Sequence, residues 1–248
     1  MTDAGKTSLL HDAISKAPQA TLMFWVVKIC ATTVGETGGD ALSMTLKLGY
    51  AAASLIFLGY FLISMVLQVR ARRYHPAIYW LVVVATTTVG TTTSDFFDRS
   101  LHLGYVLSSA ILFAAVLAVL VAWKLTTGAI RADRIVSRRD EIFYWLTILV
   151  SNTLGTALGD FTADDTGLGL GFEKGAILFA VLIAIVAFVH WRKWAPQAVL
   201  FWAAYVLTRP LGATLGDTLT KPVTAGGLDL DRIAASLVIL AVMVGWCC

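Results

Sequence analysis

An all-α integral membrane bundle of about eight transmembrane helices, built from four parallel two-helix repeats, is the fold class this sequence predicts. Three observations predict it. Of 248 residues, 58% are hydrophobic and only 14% charged, with a mean hydropathy of +0.77; soluble domains carry about 25% charged residues. A helix that crosses a bilayer takes roughly 20 apolar residues, so eight of them use about 160 and leave only short connections. A Trp followed by Gly ten residues on and Asp fifteen residues on occurs four times.

The repeat defines the elements in order. Trp25, Trp80, Trp145 and Trp202 are spaced by 55, 65 and 57 residues. They are followed by Gly35, Gly90, Gly155 and Gly212, then by Asp40, Asp95, Asp160 and Asp217. The repeats cover about 20–70, 75–124, 140–191 and 196–248 of one transmembrane domain, 1–248. The first helix of each carries the motif: 20–40, 76–95, 141–160 and 196–217. The second is plain and apolar: 49–69, 103–124, 173–191 and 229–246, the last of them short for a full span. Pro76 and Pro196 lie near helix starts, where proline is tolerated. Lys47-Leu-Gly-Tyr50 and His102-Leu-Gly-Tyr105 mark the turn in the first two copies. The third copy lacks Gly-Tyr at that spacing and has a longer turn, 160–173. With two spans per unit, every copy enters the membrane in the same direction, so the four aspartates are expected at one depth.

Basic residues set the orientation. Twelve Lys and Arg fall on one side, from Lys6 to Lys193, and five on the other: Lys47, Arg99, Lys174, Lys221 and Arg232. Both termini are therefore expected in the cytoplasm, with the turns inside each repeat facing outward. The first 20 residues are polar and lack a small-residue cleavage site, so the first span is expected to serve as an uncleaved insertion signal. A net charge of +3 is too weak to imply nucleic acid as a partner. Cys30, Cys247 and Cys248 form no CxxC pair, which argues against a disulfide framework or a thiolate zinc site. No HExxH, phosphate-binding loop or nucleophile–base pair is present, so neither an enzyme nor a cofactor is expected.

The four-fold W-x9-G-x4-D pattern over two-helix units resembles a bacterial membrane family described as a tandem "repeat of unknown function". The resemblance covers about residues 20–246. It implies the fold and a location in the bacterial inner membrane, and brings no activity with it.

Candidate chemistry comes from the polar face of the motif helices. At 100° per residue, Lys28, Thr32, Glu36 and Asp40 share one arc of the first helix. Thr87, Asn152 and Arg209 stand at the position of Thr32 in the other copies. The faces repeat, so the four motif helices are expected to converge on one interior, with the second helices toward lipid. A charge at mid-span costs about 2.5–3.5 kcal/mol on insertion scales, so Glu36 and Arg209 are expected to pair. Pro210 next to Arg209 is expected to disturb the helix there. Asp40, Asp95, Asp160 and Asp217, with threonine hydroxyls, form a candidate hard-cation site suited to Mg²⁺, Ca²⁺ or Mn²⁺.

Plainer readings stand beside these. The tryptophans fit an interfacial belt. The glycines fit close helix packing. Each aspartate fits a turn, or a pair with Lys47, Arg99 or Lys221. The threonines fit interhelical hydrogen bonding, and Lys28 fits snorkelling to the membrane edge. The leading functional expectation is transport or export of a small cation, a proton-coupled divalent metal being its sharpest form. The alternatives are a carrier of a small organic anion or zwitterion anchored by Arg209, and a membrane scaffold that transports nothing. The expected partners are the lipid bilayer and a small ion or solute.

Overall fold

The computed structural model describes residues 18, 20–71, 73–130 and 137–247. The expected N-terminal cytoplasmic segment and part of the basic stretch after Ile130 lie outside the described residues. Eight α-helices and no strands occur among those described. They are α1 (Leu22–Asp40), α2 (Gly49–Arg70), α3 (Pro76–Asp95), α4 (Tyr105–Thr127), α5 (Arg138–Ala163), α6 (Phe172–Trp191), α7 (Gln197–Thr220) and α8 (Arg232–Cys247).

Local chemistry sets the boundaries. Thr21 caps α1, its side-chain oxygen accepting from Phe24 N at 3.3 Å. Ser137 caps α5 in the same way, accepting from Asp140 N at 3.0 Å, and Asp140 and Glu141 suit the positive end of that helix. Pro76 opens α3. The motif helices of the first two repeats run past their aspartates into single π-helical turns, Ala41–Thr45 and Phe96–Ser100. The turn that follows needs left-handed backbone at two residues, Lys47 and Gly49 in one copy, His102 and Gly104 in the next. In the third repeat Gly169 and Gly171 adopt the same two conformations. Gly171-Phe172 therefore takes the place of Gly-Tyr, displaced in sequence by the longer turn.

Helices α1, α3, α5 and α7 close into a ring, each packed on the next and α7 back on α1. The second helix of each repeat packs on the motif helix of the following one: α2 on α3, α4 on α5, α6 on α7 and α8 on α1. The result is a four-bladed pinwheel in which every repeat completes its neighbour. Helices α2, α4, α5 and α6 are each long and apolar enough to cross a membrane. On the outside, α2, α4 and α6 present large apolar side chains such as Leu55, Ile63, Phe113, Ile177 and Val181. The ring interior is the polar part, which inverts the pattern of a soluble bundle and is the pattern expected in lipid.

Candidate functional site

The ring is layered along its axis. At the end where the motif helices begin, eight aromatic side chains form a closed circle. The residue before each motif tryptophan stacks on the tryptophan of the next helix. Phe24 meets Trp80 at 5.6 Å, Tyr79 meets Trp145 at 5.4 Å, Tyr144 meets Trp202 at 5.9 Å and Phe201 meets Trp25 at 5.7 Å, centroid to centroid. Trp80 and Trp145 are buried, Trp25 and Trp202 half-buried. These tryptophans pack on the neighbouring blade. The signal for this was in the sequence, since Phe or Tyr precedes every motif tryptophan.

The next layer interlocks the helices. Each motif glycine faces the residue seven past the tryptophan of the following helix. A methyl on Gly35, Gly155 or Gly212 would overlap the side chains of Thr87, Arg209 and Thr32 respectively; on Gly90 it would lie 3.0 Å from the Asn152 backbone. Hydrogen bonds follow the same order. Thr87 Oγ1 lies 3.2 Å from the Ala31 carbonyl, Thr32 Oγ1 lies 3.2 Å from the Thr208 carbonyl, and Asn152 Nδ2 donates to Thr86 Oγ1 at 2.9 Å. Three predicted site residues, Thr32, Thr87 and Asn152, thus join helix to helix; of their polar atoms, Asn152 Oδ1 has no partner.

Mid-depth holds the charged centre. Arg209 Nη2 donates to Glu36 Oε2 at 2.9 Å, and contacts the hydroxyls of Thr91 and Thr156. The expected pair across α1 and α7 is therefore formed, tied to α3 and α5 by the two threonines. Arg209 is fully buried, and its Nε and Nη1 have no hydrogen-bond partner. Lys28 is also fully buried rather than snorkelling, with Nζ 4.2 Å from the centroid of the Tyr205 ring and no acceptor. It lies six residues inside α1, about 9 Å along the axis, on the face turned into the ring.

The motif aspartates lie at the opposite end of the ring. Lys221 Nζ bridges Asp40 at 3.1 Å and Asp217 at 3.2 Å, joining the first repeat to the last. Arg232 adds a longer contact to Asp40 at 3.7 Å, and Arg99 Nε pairs with Asp95 at 3.0 Å. Asp160 Oδ2 is buried without a partner. Among the described residues no three Asp, Glu, His or Cys side chains approach closely enough to hold a metal ion. The four-carboxylate metal site is therefore corrected to paired aspartates: protein cations occupy three of the four. A vestibule of about 1120 Å³ adjoins them, lined in part by Asp98, Arg99, Tyr105, Asp164, Lys221 and Arg232. Burial pushes the Asp164 carboxyl up, but hydrogen bonds from Thr166 and Tyr105 outweigh it and hold the group below its ordinary range. Arg209 lies beyond the aspartate layer, closed off from this vestibule.

Unequal pairing gives unequal substitutions. Asp95→Asn removes the one close ion pair of Arg99, which keeps its bond to the Tyr50 hydroxyl, and is expected to lower stability by about 1–2 kcal/mol, since Arg99 is partly exposed and screened. Asp160→Asn removes a buried carboxylate that has only the more distant attraction of Arg99 and is expected to change stability less than Asp95→Asn. Thermal melting of the purified variants decides; equal losses would mean that Asp160 has a counter-charge of its own.

An integral membrane protein of four tandem two-helix repeats around a polar core is what this fold and this core define. The chain belongs to the Repeat of Unknown Function (DUF347) family, whose sequence profile matches residues 23–74, 78–129, 143–194 and 200–248. The four matches fall on the four helix pairs. No curated protein and no solved structure matches the chain.

Proposed function

We propose that this protein is a solute carrier of the bacterial inner membrane, with both termini cytoplasmic, that moves a small organic anion or zwitterion along the axis of the ring, anchored by Arg209. One observation carries this reading. Two fully enclosed basic side chains, Arg209 and Lys28, meet a single carboxylate, Glu36, and Arg209 Nε, Arg209 Nη1 and Lys28 Nζ have no acceptor in the protein. Buried donors of this kind are costly unless something satisfies them, and an anion supplies what is missing. Arginine is the side chain best suited to a carboxylate, because it stays charged and presents donors in fixed directions. The vestibule opens outside the aspartate layer, which separates it from Arg209, and the aromatic circle closes the other end. The orientation rests on the excess of Lys and Arg in the loops on the aromatic side.

A cation carrier, with proton coupling, is the second reading. Asp160 favours it, as a buried carboxylate near the vestibule end whose Oδ2 has no hydrogen-bond partner. Flux into proteoliposomes separates the two. Wild type, Arg209→Lys and Asp160→Asn are tested with labelled small carboxylates, amino acids and divalent cations, with a pH dye inside. We expect carboxylate or amino-acid flux in wild type and a loss of at least about tenfold in folded Arg209→Lys, equivalent to one good hydrogen bond to a charge. Cation flux that Asp160→Asn abolishes would favour the second reading. No flux of any solute from folded protein would favour a scaffold.

A further inference from the structure

Lys28 is the enclosed basic side chain that the Arg209–Glu36 pair leaves over. Its ammonium rests on the face of Tyr205, and a ring face satisfies none of the three N–H donors in the ordinary way. The Tyr205 hydroxyl is also enclosed and unpartnered. Tyr79 and Tyr144, whose hydroxyls lie 2.9 Å apart, satisfy one another and not Tyr205. Lys28 and Tyr205 stand at the same register, three residues past the tryptophan, on the adjacent helices α1 and α7. The same register on α3 and α5 holds Val83 and Ile148, both fully buried. One half of this layer is therefore rich in donors and the other half is aliphatic. Arg209, with its two free nitrogens, stands four residues further on in the register, about 6 Å along the axis.

We infer that Lys28 and Tyr205 complete the site that Arg209 begins, and that its ligand is a compact monocarboxylate with a short hydrocarbon tail. The carboxylate lies between the Lys28 ammonium and the free nitrogens of Arg209, and accepts from the Tyr205 hydroxyl. The tail lies against Val83 and Ile148. With Glu36 ionised and Lys28 protonated as the carboxylate enters, one negative charge brings the enclosed group to neutrality; a second leaves an uncompensated charge in a poorly solvated interior. The inference rests on the carrier reading for the ligand's passage, but not for its binding.

Calorimetric titration of the purified full-length protein in detergent tests it, with acetate, propionate, succinate and chloride as probes at matched ionic strength. The expected result is saturable binding of acetate or propionate, with succinate and chloride at least tenfold weaker. Lys28→Met is expected to abolish that binding and Lys28→Arg to restore it. Tyr205→Phe is expected to weaken it about tenfold, the loss of one hydrogen bond to a charged group. If Lys28→Met does not fold, Tyr205→Phe decides. Absence of saturable monocarboxylate binding by folded wild type overturns the inference, as does wild-type affinity in Lys28→Met or Tyr205→Phe. Chloride binding as tight as acetate overturns the assignment to a carboxylate. Lys28-dependent binding without flux in vesicles supports the inference and removes the carrier reading. Carboxylate flux that needs Arg209 but not Lys28 does the reverse.

Discussion

Glu36→Leu is expected to lower the stability of the folded chain by about 3–5 kcal/mol, because it breaks a buried ion pair and keeps the cation. The cost is at the upper end for a local reason. Glu36 is the carboxylate that pairs with Arg209, and Lys28 is enclosed one layer away. Removing it leaves the Arg209 cation in the ring with no acid beside it and a second basic group, Lys28, close by. Thr91 and Thr156 still contact Arg209 Nη2, but neutral hydroxyls do not offset its charge. Adding Arg209→Met to Glu36→Leu is expected to recover most of the loss, since replacing both partners of a buried pair by apolar groups is often neutral. Equilibrium unfolding in mixed micelles measures both. A double variant no more stable than Glu36→Leu would mean that the pair is not the reason for the loss.

The ring and the pair were legible in the sequence, and for the same reason: repetition. Four Trp-Gly-Asp patterns in phase fix four equivalent helices, and a polar face shared by all four has to turn inward in lipid. Glu36 and Arg209 then have few groups to answer them except each other. The order of the blades was not legible. Nothing in one repeat says that α2 packs on α3 of the next repeat, because an apolar second helix such as α2 fits any apolar groove equally well. Of the two readings of the aspartates, pairing with Arg99 and Lys221 held, both pairs being four residues apart in sequence, while the contact that crosses the ring was not legible because it depends on that order. Lys221 reaches Asp217 within its own repeat, but also Asp40 across the seam that closes the ring. Lys28 was misread because snorkelling depends on which way the side chain faces. From the ring face of α1, Tyr205 of α7 stands beside it.

Gly35→Ala is expected to cost about 1–3 kcal/mol, the usual price of overpacking, although alanine is the better helix former. The added methyl overlaps Thr87 of α3, whose hydroxyl lies 3.2 Å from the carbonyl of Ala31. Neither helix moves away freely, because α1 also packs on α7 and α3 on α5. The blade order makes the result specific. Thr87→Gly opens the space that Gly35→Ala fills, so the two together are expected to be more stable than the sum of the single losses, by 0.5 kcal/mol or more on the scale of contacting residues. Thr87→Gly combined with Gly212→Ala is expected to be additive, since Gly212 faces Thr32 rather than Thr87. Melting of the three single and two double variants gives both coupling energies. Coupling in the second pair and none in the first would contradict the cyclic order of the helices. Coupling in the first alone ties the recurrent glycine to the next blade, and gives its fourfold recurrence a physical cause: each repeat leaves at its own glycine the space into which the following repeat fits.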